Sequence, residues 1–168
     1  SITGTNGKTT TTRLLAHIAR YAGHNVGLTT TEGVYIGSEQ IMKGDCTGPA
    51  SAQAVLRDPT VTFAALETAR GGLLRFGLGY DWANVGVVTN IAADHLGLRD
   101  IETVEDLARL KSLVAERVFP DGVAVLNADM IGRNHPDTAA LLGAQPPHRN
   151  SSELVAMALK ANAATGRF

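Results

Sequence analysis

Apolar residues recur every three or four positions in two long stretches of the chain. Over 9–22 this spacing predicts a helix that ends at Gly23 and turns one apolar face toward the core. The predicted buried face consists of Leu14, Leu15, Ile18, Ala19 and Ala22. Over 104–118 the same spacing predicts a second helix, with Thr103 as its N-cap and Asp106 as the reciprocal residue of a capping box.

Short, continuous apolar runs predict strands. The runs at 61–66, 85–89 and 123–126 suit strands that are buried on both faces. Further elements are predicted at 25–31 (a strand), 34–37 (a hairpin) and 49–56 (a short helix). Because strands and helices alternate along the chain, we expect an α/β fold with a mostly parallel sheet flanked by helices on both faces.

Composition and charge exclude several classes of protein. The chain has 168 residues, of which 44% are hydrophobic and 18% charged, as is usual for a soluble globular protein. Its net charge of −1 gives no global attraction to nucleic acid or to an anionic membrane surface. No apolar run reaches the roughly 18 residues of a membrane span. A single cysteine, Cys46, excludes an internal disulfide and suits a reducing compartment, so we expect a cytoplasmic protein. Cys46 itself is better explained as a small core or loop residue than as a reactive thiol.

The segment Gly4-Thr5-Asn6-Gly7-Lys8-Thr9 has the composition of a phosphate-binding loop. Its glycines permit a tight turn whose backbone N–H groups, with the positive end of a helix dipole, surround an anion. Lys8 is then placed to reach the outer phosphates of ATP, and Thr9 to bind Mg²⁺. The general phosphate-loop pattern has a glycine where this chain has Ile2. A fortuitous glycine-rich turn is the alternative, but the order of apolar residues, glycines, lysine, threonine and helix disfavours it.

Only Ser1-Ile2-Thr3 precedes this loop, whereas a strand of about five residues normally does. We therefore expect that the sequence starts within that strand and that the fold is truncated there. We divide the chain into an ATP-binding domain, 1–129, and a tail, 130–168, composed of loop and a helix at 152–164.

Polar clusters follow the predicted strands, where ligands bind in open α/β sheets. Glu67 and His95 offer a carboxylate and an imidazole to a divalent cation, and Asn90 follows the strand that precedes His95. For His95 taken alone, a hydrogen-bonded loop histidine is the better explanation, but its position near Asn90 favours a site. Arg70 also follows a strand end and could hold an acceptor carboxylate in a bidentate contact. A surface arginine is an equally good explanation.

Lys111 interrupts an apolar stripe on the second predicted helix. It lies roughly 40° from the centre of that stripe at 3.6 residues per turn. The stripe is formed by Val104, Leu107, Leu110, Val114 and Val118. A lysine on a buried face costs several kcal/mol unless it is paired, neutralised or modified. The alternative is a side chain whose apolar stem runs along the surface and carries the amine to water. The spacing leaves both explanations open.

Taken together, these motifs resemble the central ATPase domain of the Mur ligase superfamily. The resemblance rests on the loop 4–9, on Thr89-Asn90-Ile91 with Asp94-His95-Leu96, on Lys111, and on Leu126-Asn127-Ala128-Asp129. Three further stretches are most similar to the cyanophycin synthetases within that superfamily: Thr29-Thr30-Thr31-Glu32-Gly33, Gly44-Asp45-Cys46-Thr47-Gly48-Pro49 and Glu67-Thr68-Ala69-Arg70-Gly71-Gly72. The resemblance covers 1–129.

The resemblance implies an ATP-dependent, amide-forming ligase that activates a carboxylate as an acyl phosphate for attack by an amine. The implied ATP contacts are Gly4, Thr5, Asn6, Gly7, Lys8, Thr9, Asn90 and Asn127. The implied Mg²⁺ ligands are Thr9, Glu67, His95 and a carbamylated Lys111. The implied catalytic residues are Lys8, His95 and Lys111. The substrates would be ATP and an amino acid or peptide carboxylate; cyanophycin synthetases build a polymer with an aspartate backbone and arginine side groups.

The chain departs from the family at Met130, where the usual motif has a second aspartate, and the tail 130–168 does not align. That tail is too short for the family's third domain, which closes over ATP. A degenerate or regulatory ATP-binding module therefore stays an alternative, as does another Mur-type ligase acting on muramyl peptides or folate. Ligase-type residues at Glu67, His95 and Lys111 disfavour a pure binding module. A homo-oligomer formed through regions outside this sequence is also left open.

Overall fold

The computed structural model describes residues 1–93, 97 and 101–127. They belong to two compact units, Ser1–Asp81 and Trp82–Phe168. His95, the predicted tail 130–168 and its helix at 152–164 lie outside the described residues.

The first unit contains a mixed sheet and three helices. Its elements are β1 (Ile2–Thr3), α1 (Lys8–Tyr21), β2 (Val26–Thr30), β3 (Gly33–Ile36), β4 (Glu39–Lys43), α2 (Pro49–Arg57), β5 (Phe63–Leu66) and α3 (Arg70–Phe76). The strand order is β4-β3-β2-β5, with β2 and β5 parallel and the hairpin β3–β4 antiparallel to β2. A parallel bridge joins Ile2 of β1 to Glu67, the residue that follows β5. The carboxyl ends of β1, β2 and β5 therefore lie side by side.

Helices cover both faces of this sheet. Ala16 and Ala19 of α1 pack with Leu28 and Ala65. Val55 of α2 packs in a second cluster that includes Val34, Leu66, Ala52 and Cys46. Ala65 and Leu66 are consecutive in β5 and so point to opposite faces, which places α1 and α2 on opposite sides. The prediction of a parallel sheet flanked by helices is confirmed.

The face that α1 buries differs from the one predicted. Its buried residues are Thr12, Ala16 and Ala19, whereas Leu14 and Ile18 are 57% and 55% exposed. The Thr12 hydroxyl donates to the Lys8 carbonyl oxygen at 2.7 Å, so this polar side chain is satisfied inside the protein. Small side chains let the helix lie close to the sheet. Ala19 is buried as predicted, but the apolar periodicity misplaced the centre of the buried face because it counts a buried threonine as polar and favours the larger leucine and isoleucine.

The sequence did not predict α3. Glycine is a poor helix former, and Gly71-Gly72 stand in its first turn. The packing explains one of them, because a Cβ added at Gly72 would lie 3.0 Å from the Gly48 Cα. Any side chain at this position would crowd the residues before α2, so the close contact favours glycine.

The second unit contains β6 (Ala83–Val88), α4 (Val104–Glu116) and β7 (Val118–Leu126), with β6 and β7 parallel. α4 lies directly on β6, since a Cβ added at Gly86 would be 2.2 Å from the Val114 carbonyl oxygen. Val88 and Ala124 are buried in the same core. The opposite face of the two strands exposes Val85, Val123 and Val125 by 42%, 39% and 42%. The prediction that both strands are buried on both faces is therefore wrong.

The predicted start of α4 is confirmed in full. The Asp106 amide donates to the Thr103 hydroxyl oxygen at 3.1 Å, and the Thr103 amide donates to the Asp106 carboxylate at 3.0 Å. Within the ranges that the structure describes, none of the helices is long and apolar enough to span a membrane.

Candidate active site

The predicted phosphate loop connects β1 to the N-terminus of α1. Gly7 is the residue before the helix and has φ 81°, in the left-handed region that favours glycine. A Cβ at Gly7 would meet no atom within 4 Å, so the backbone conformation, not space, requires glycine here. Among the described residues, no side chain caps α1 and its first turn holds no acidic residue. The positive end of the helix dipole is therefore left to attract an anion.

Lys8 and Thr9, the first residues of α1, turn toward the end of the sheet. The Lys8 ammonium donates to the Thr5 carbonyl oxygen at 2.8 Å and so bends back across the loop. The Thr9 hydroxyl donates to Glu67 Oε1 at 3.0 Å. Thr9 therefore contacts the carboxyl end of β5, where Glu67 follows the strand, and the Lys8 charge is near enough to lower the pKa of Glu67.

The Glu67 carboxylate is buried and could accept further hydrogen bonds. It is 2% exposed. Its backbone amide donates to the Thr29 carbonyl oxygen at 3.2 Å and to the Thr29 hydroxyl oxygen at 3.1 Å. Its second carboxylate oxygen, Oε2, is buried and has no hydrogen-bond partner among the described residues. Burial raises the pKa of Glu67, while the Thr9 hydroxyl, the Lys8 ammonium and a backbone hydrogen bond from Thr31 lower it, and the Asp45 carboxylate adds a small increase.

These oxygens fit Mg²⁺. The Glu67 carboxylate and the Thr9 hydroxyl are hard oxygen ligands, and the unpartnered Oε2 is the atom that a cation would satisfy. In the part of the chain that the structure describes, no group of three or more histidine, cysteine, aspartate or glutamate residues could hold a metal ion. Mg²⁺ is commonly bound by one or two protein oxygens together with waters and substrate phosphate oxygens, and the Thr9 and Glu67 oxygens suit that pattern.

The other predicted site residues are divided between the two units, and one of them lies outside the described residues. Arg70 is the first residue of α3, directly after the β5 end, and is partly buried. His95 lies outside the described residues, so its predicted metal role stays a prediction. Asn90 and Asn127 belong to the second unit. The Asn127 side chain donates to the Thr89 carbonyl oxygen at 3.0 Å, next to Asn90 at the end of β6.

Lys111 is 3% exposed in α4. Its amine is thus not carried to water along an apolar stem, and the alternative that the sequence left open is wrong. Leu107 and Val114, one turn on either side, are also buried. The structure describes the lysine's burial, while its carbamylation stays a prediction.

Sequence reasoning missed the placement of Asp45. The residue lies in the loop between β4 and α2, and its charge acts on Glu67. Its Oδ1 accepts from the Thr47 amide at 3.2 Å and from the Thr47 hydroxyl at 2.7 Å. The Asp-x-Thr spacing could have predicted this turn, since an aspartate side chain often accepts a hydrogen bond from the backbone amide two residues later.

The profile of the Mur ligase middle domain family matches residues 2–143. The chain belongs to this family. It is 67% identical over 129 residues to a cyanophycin synthetase from Trichormus variabilis and 63% identical over 129 residues to one from Synechocystis. The alignments cover 77% of this chain but 14% and 15% of those proteins, so the chain spans about a seventh of the length of these relatives.

Ligases named for 2,6-diaminopimelate are more distant relatives. A UDP-N-acetylmuramoyl-L-alanyl-D-glutamate--2,6-diaminopimelate ligase from Chlamydia felis is 32% identical over 134 residues, which is 77% of this chain and 27% of that protein. A solved structure of an enzyme with this name superposes with a TM-score of 0.62 at 23% identity, covering 89% of this chain and 29% of its own. This likeness confirms the fold, and the family match confirms the resemblance found in the motifs.

Proposed function

We propose that this chain is the ATP-binding core of an ATP-dependent, amide-forming ligase of the cyanophycin synthetase type. The observation that carries the proposal is the Glu67 carboxylate. It is buried at the end of β5, accepts a hydrogen bond from Thr9, and has one oxygen with no hydrogen-bond partner among the residues that the structure describes. A buried anion in that position has a clear use if a Mg²⁺–nucleotide binds at the loop.

The chain's residues would divide the work of phosphoryl transfer as follows. The loop amides and the N-terminus of α1 bind the phosphates, and Lys8 leaves the Thr5 carbonyl oxygen to neutralise charge on the outer ones. Thr9 and Glu67 hold the cation, which when bound withdraws charge from the phosphate oxygens. The protein forms no covalent bond in this step, so positioning and charge neutralisation account for most of the rate acceleration.

The reaction itself has two steps. A carboxylate oxygen attacks the γ-phosphorus of ATP, forming an acyl phosphate and releasing ADP. An amine then attacks the acyl carbon, inorganic phosphate leaves, and the amine loses a proton as the amide forms. Family resemblance suggests an aspartyl peptide as the carboxylate and arginine's α-amino group as the amine. We assign His95 and Lys111 to the cation, Asn90 and Asn127 to the nucleotide, and Arg70 to the acceptor carboxylate.

Oxygen labelling in the full-length protein tests the proposal. With an ¹⁸O-labelled carboxylate substrate, one labelled oxygen should appear in inorganic phosphate for each amide formed, since the acyl phosphate passes that oxygen to the leaving group. Lys8→Ala should lose label transfer, whereas Lys43→Ala, at an exposed position at the end of β4, should retain it. ATP binding without label transfer or amide formation in the unaltered protein would instead identify a regulatory nucleotide-binding module.

A further inference from the structure

We propose that Thr29 is a positioning residue for the cation site. Its buried hydroxyl fixes the main chain of Glu67, and this holds the Glu67 carboxylate against Thr9 and toward the Mg²⁺ that accompanies the nucleotide. The inference rests on the function proposed above and adds a residue from β2, outside the phosphate loop. It follows from the hydrogen bonds that join Thr29 to Glu67 and from the burial of both residues.

The backbone at Glu67 is held by strands on both sides. On one side, Ile2 of β1 forms the parallel bridge with Glu67, and the Thr68 amide donates to the Ile2 carbonyl oxygen at 2.8 Å. On the other side, the Glu67 amide donates to the Thr29 carbonyl oxygen at 3.2 Å. These bonds are the ordinary pairing of a parallel sheet, so they would form with almost any side chain at position 29.

The Thr29 side chain adds contacts that sheet pairing does not supply. Its hydroxyl oxygen accepts from the Glu67 amide at 3.1 Å, so this one donor is shared between the hydroxyl and the carbonyl oxygen of Thr29. The same hydroxyl donates to the Glu67 carbonyl oxygen in a long hydrogen bond of 3.5 Å. Thr29 therefore contacts the backbone on both sides of the Glu67 Cα, the atom from which the carboxylate side chain extends.

Thr29 is suited to holding another residue in place. It is 1% exposed, so water does not compete for these hydrogen bonds, and its branched side chain has few rotamers. Glu67 is 2% exposed, and its Oε1 accepts from the Thr9 hydroxyl. A shift of the Glu67 backbone would move both carboxylate oxygens relative to the phosphate loop. Because a binding site tolerates only small displacements of its ligands, the restraint by Thr29 should strengthen cation binding.

The neighbouring Thr30 provides a matched control. It also belongs to β2 and is 0% exposed, and its hydroxyl oxygen also accepts from a backbone amide at 3.1 Å, in this case that of Glu32. Consecutive residues of a strand point to opposite faces, so the two hydroxyls act on different parts of the chain. Valine at either position removes the same kind of hydroxyl and keeps the branched shape.

The test is Mn²⁺ binding to the full-length protein with ADP, followed by electron paramagnetic resonance. The relevant Mn²⁺ is the one that Glu67→Gln fails to bind. Thr29→Val should raise its Kd about tenfold, the lower end of the effect of losing a group that orients a metal ligand, since a methyl group cannot accept from the Glu67 amide. Thr30→Val should leave that Kd unchanged and should shift the thermal midpoint about as much as Thr29→Val does, because each variant loses one buried hydroxyl.

Two smaller substitutions separate metal binding from stability. Thr29→Ser and Thr29→Ala both remove a buried methyl group, so both should lower the thermal midpoint. Only serine keeps the oxygen that accepts from the Glu67 amide. Thr29→Ser should therefore bind Mn²⁺ with the Kd of the unaltered protein, whereas Thr29→Ala should show the raised Kd. This pair gives the answer even if valine at position 29 prevents folding.

Unchanged Mn²⁺ affinity in Thr29→Val or Thr29→Ala would overturn the inference while leaving the proposed function intact. Equal losses of affinity in Thr29→Val and Thr30→Val, or in Thr29→Ser and Thr29→Ala, would also overturn it, because the effect would then follow the packing of β2 and not the hydroxyl. Absence of Glu67-dependent Mn²⁺–ADP binding in the unaltered protein would overturn the proposed function together with the inference.

Discussion

At the scale of single residues, Glu67 combines a structural cost with a functional use. A buried polar atom without a partner costs about 1–3 kcal/mol, and a charged one costs more. Within the described ranges Glu67 Oε2 has no hydrogen-bond partner, and Thr9 donates to the other oxygen. A protein without a ligand for this oxygen would be more stable with an uncharged side chain, so the carboxylate points to cation binding.

We expect Glu67→Gln to separate these two roles. Glutamine keeps the oxygen that accepts from Thr9 and removes the buried charge. The metal-free thermal midpoint should therefore not fall, while the increase that Mg²⁺–ADP produces in the unaltered protein should disappear. Differential scanning fluorimetry of the full-length protein, with and without Mg²⁺–ADP, measures both. A lower metal-free midpoint with an intact Mg²⁺–ADP response would show that Glu67 is only structural.

Lys111 leads to a second prediction at this scale. Lys111 is 3% exposed, and a carbamate would replace its positive charge, which repels Mg²⁺, with oxygens that suit this cation. Lys111→Ala should lose ligase activity, and a short carboxylic acid in the buffer should restore part of it. Lys111→Arg should not be restored, because the guanidinium fills the space and keeps the charge. Activity near normal in Lys111→Ala would contradict the carbamate.

At the scale of elements, α4 is stabilised at its start by the capping box between Thr103 and Asp106. Hydrogen bonds from the Thr103 hydroxyl and amide lower the pKa of Asp106 below its usual 3.8. The folded state thus favours the ionised carboxylate. Its contribution to stability is present above the unfolded-state pKa of 3.8 and is lost as the pH falls through the lowered pKa of the folded state.

Two substitutions test the cap. Thr103→Ala should lower the free energy of unfolding by about 1 kcal/mol at pH 7, the usual effect of losing an N-cap side chain. Asp106→Asn should also destabilise the protein at pH 7, and its deficit should shrink as the pH falls below 3.8. Glu102→Gln removes an exposed charge beside the cap and serves as control. Urea unfolding across this pH range gives all three values, and a pH-independent deficit for Asp106→Asn would contradict the ionised cap.

At the scale of the whole molecule, ligand binding and folding are linked. A ligand that binds only the folded state stabilises it by about 2.7 kcal/mol when present at one hundred times its Kd. Lys8→Ala should weaken Mg²⁺–ATP binding by about 2 kcal/mol, the scale of a charge-assisted hydrogen bond, and should lose a corresponding part of this stabilisation. Titration calorimetry of the full-length protein measures the affinity, with Lys43→Ala as control. Unchanged affinity in Lys8→Ala would remove Lys8 from the site.

The sequence by itself determined the class of fold, the glycine turn before α1 and the cap of α4. These features depend on local chemistry: glycines that accept a left-handed turn, a lysine and threonine beside them, and a threonine that bonds the amide three residues later. The sequence also predicted the position of Glu67 at the sheet edge, because the residues that follow parallel strands meet there.

Only the tertiary structure decided which faces are buried and how polar groups are paired. Leu14 and Ile18 are exposed because α1 packs through Ala16 and Ala19, and the close approach of helix and sheet is set by atoms distant in sequence. The α3 helix forms despite its glycines because Gly72 fits against Gly48. The same long-range geometry leaves Glu67 Oε2 without a hydrogen-bond partner in the described part of the chain, since hydrogen bonding depends on spatial distance, which periodicity along the chain does not specify.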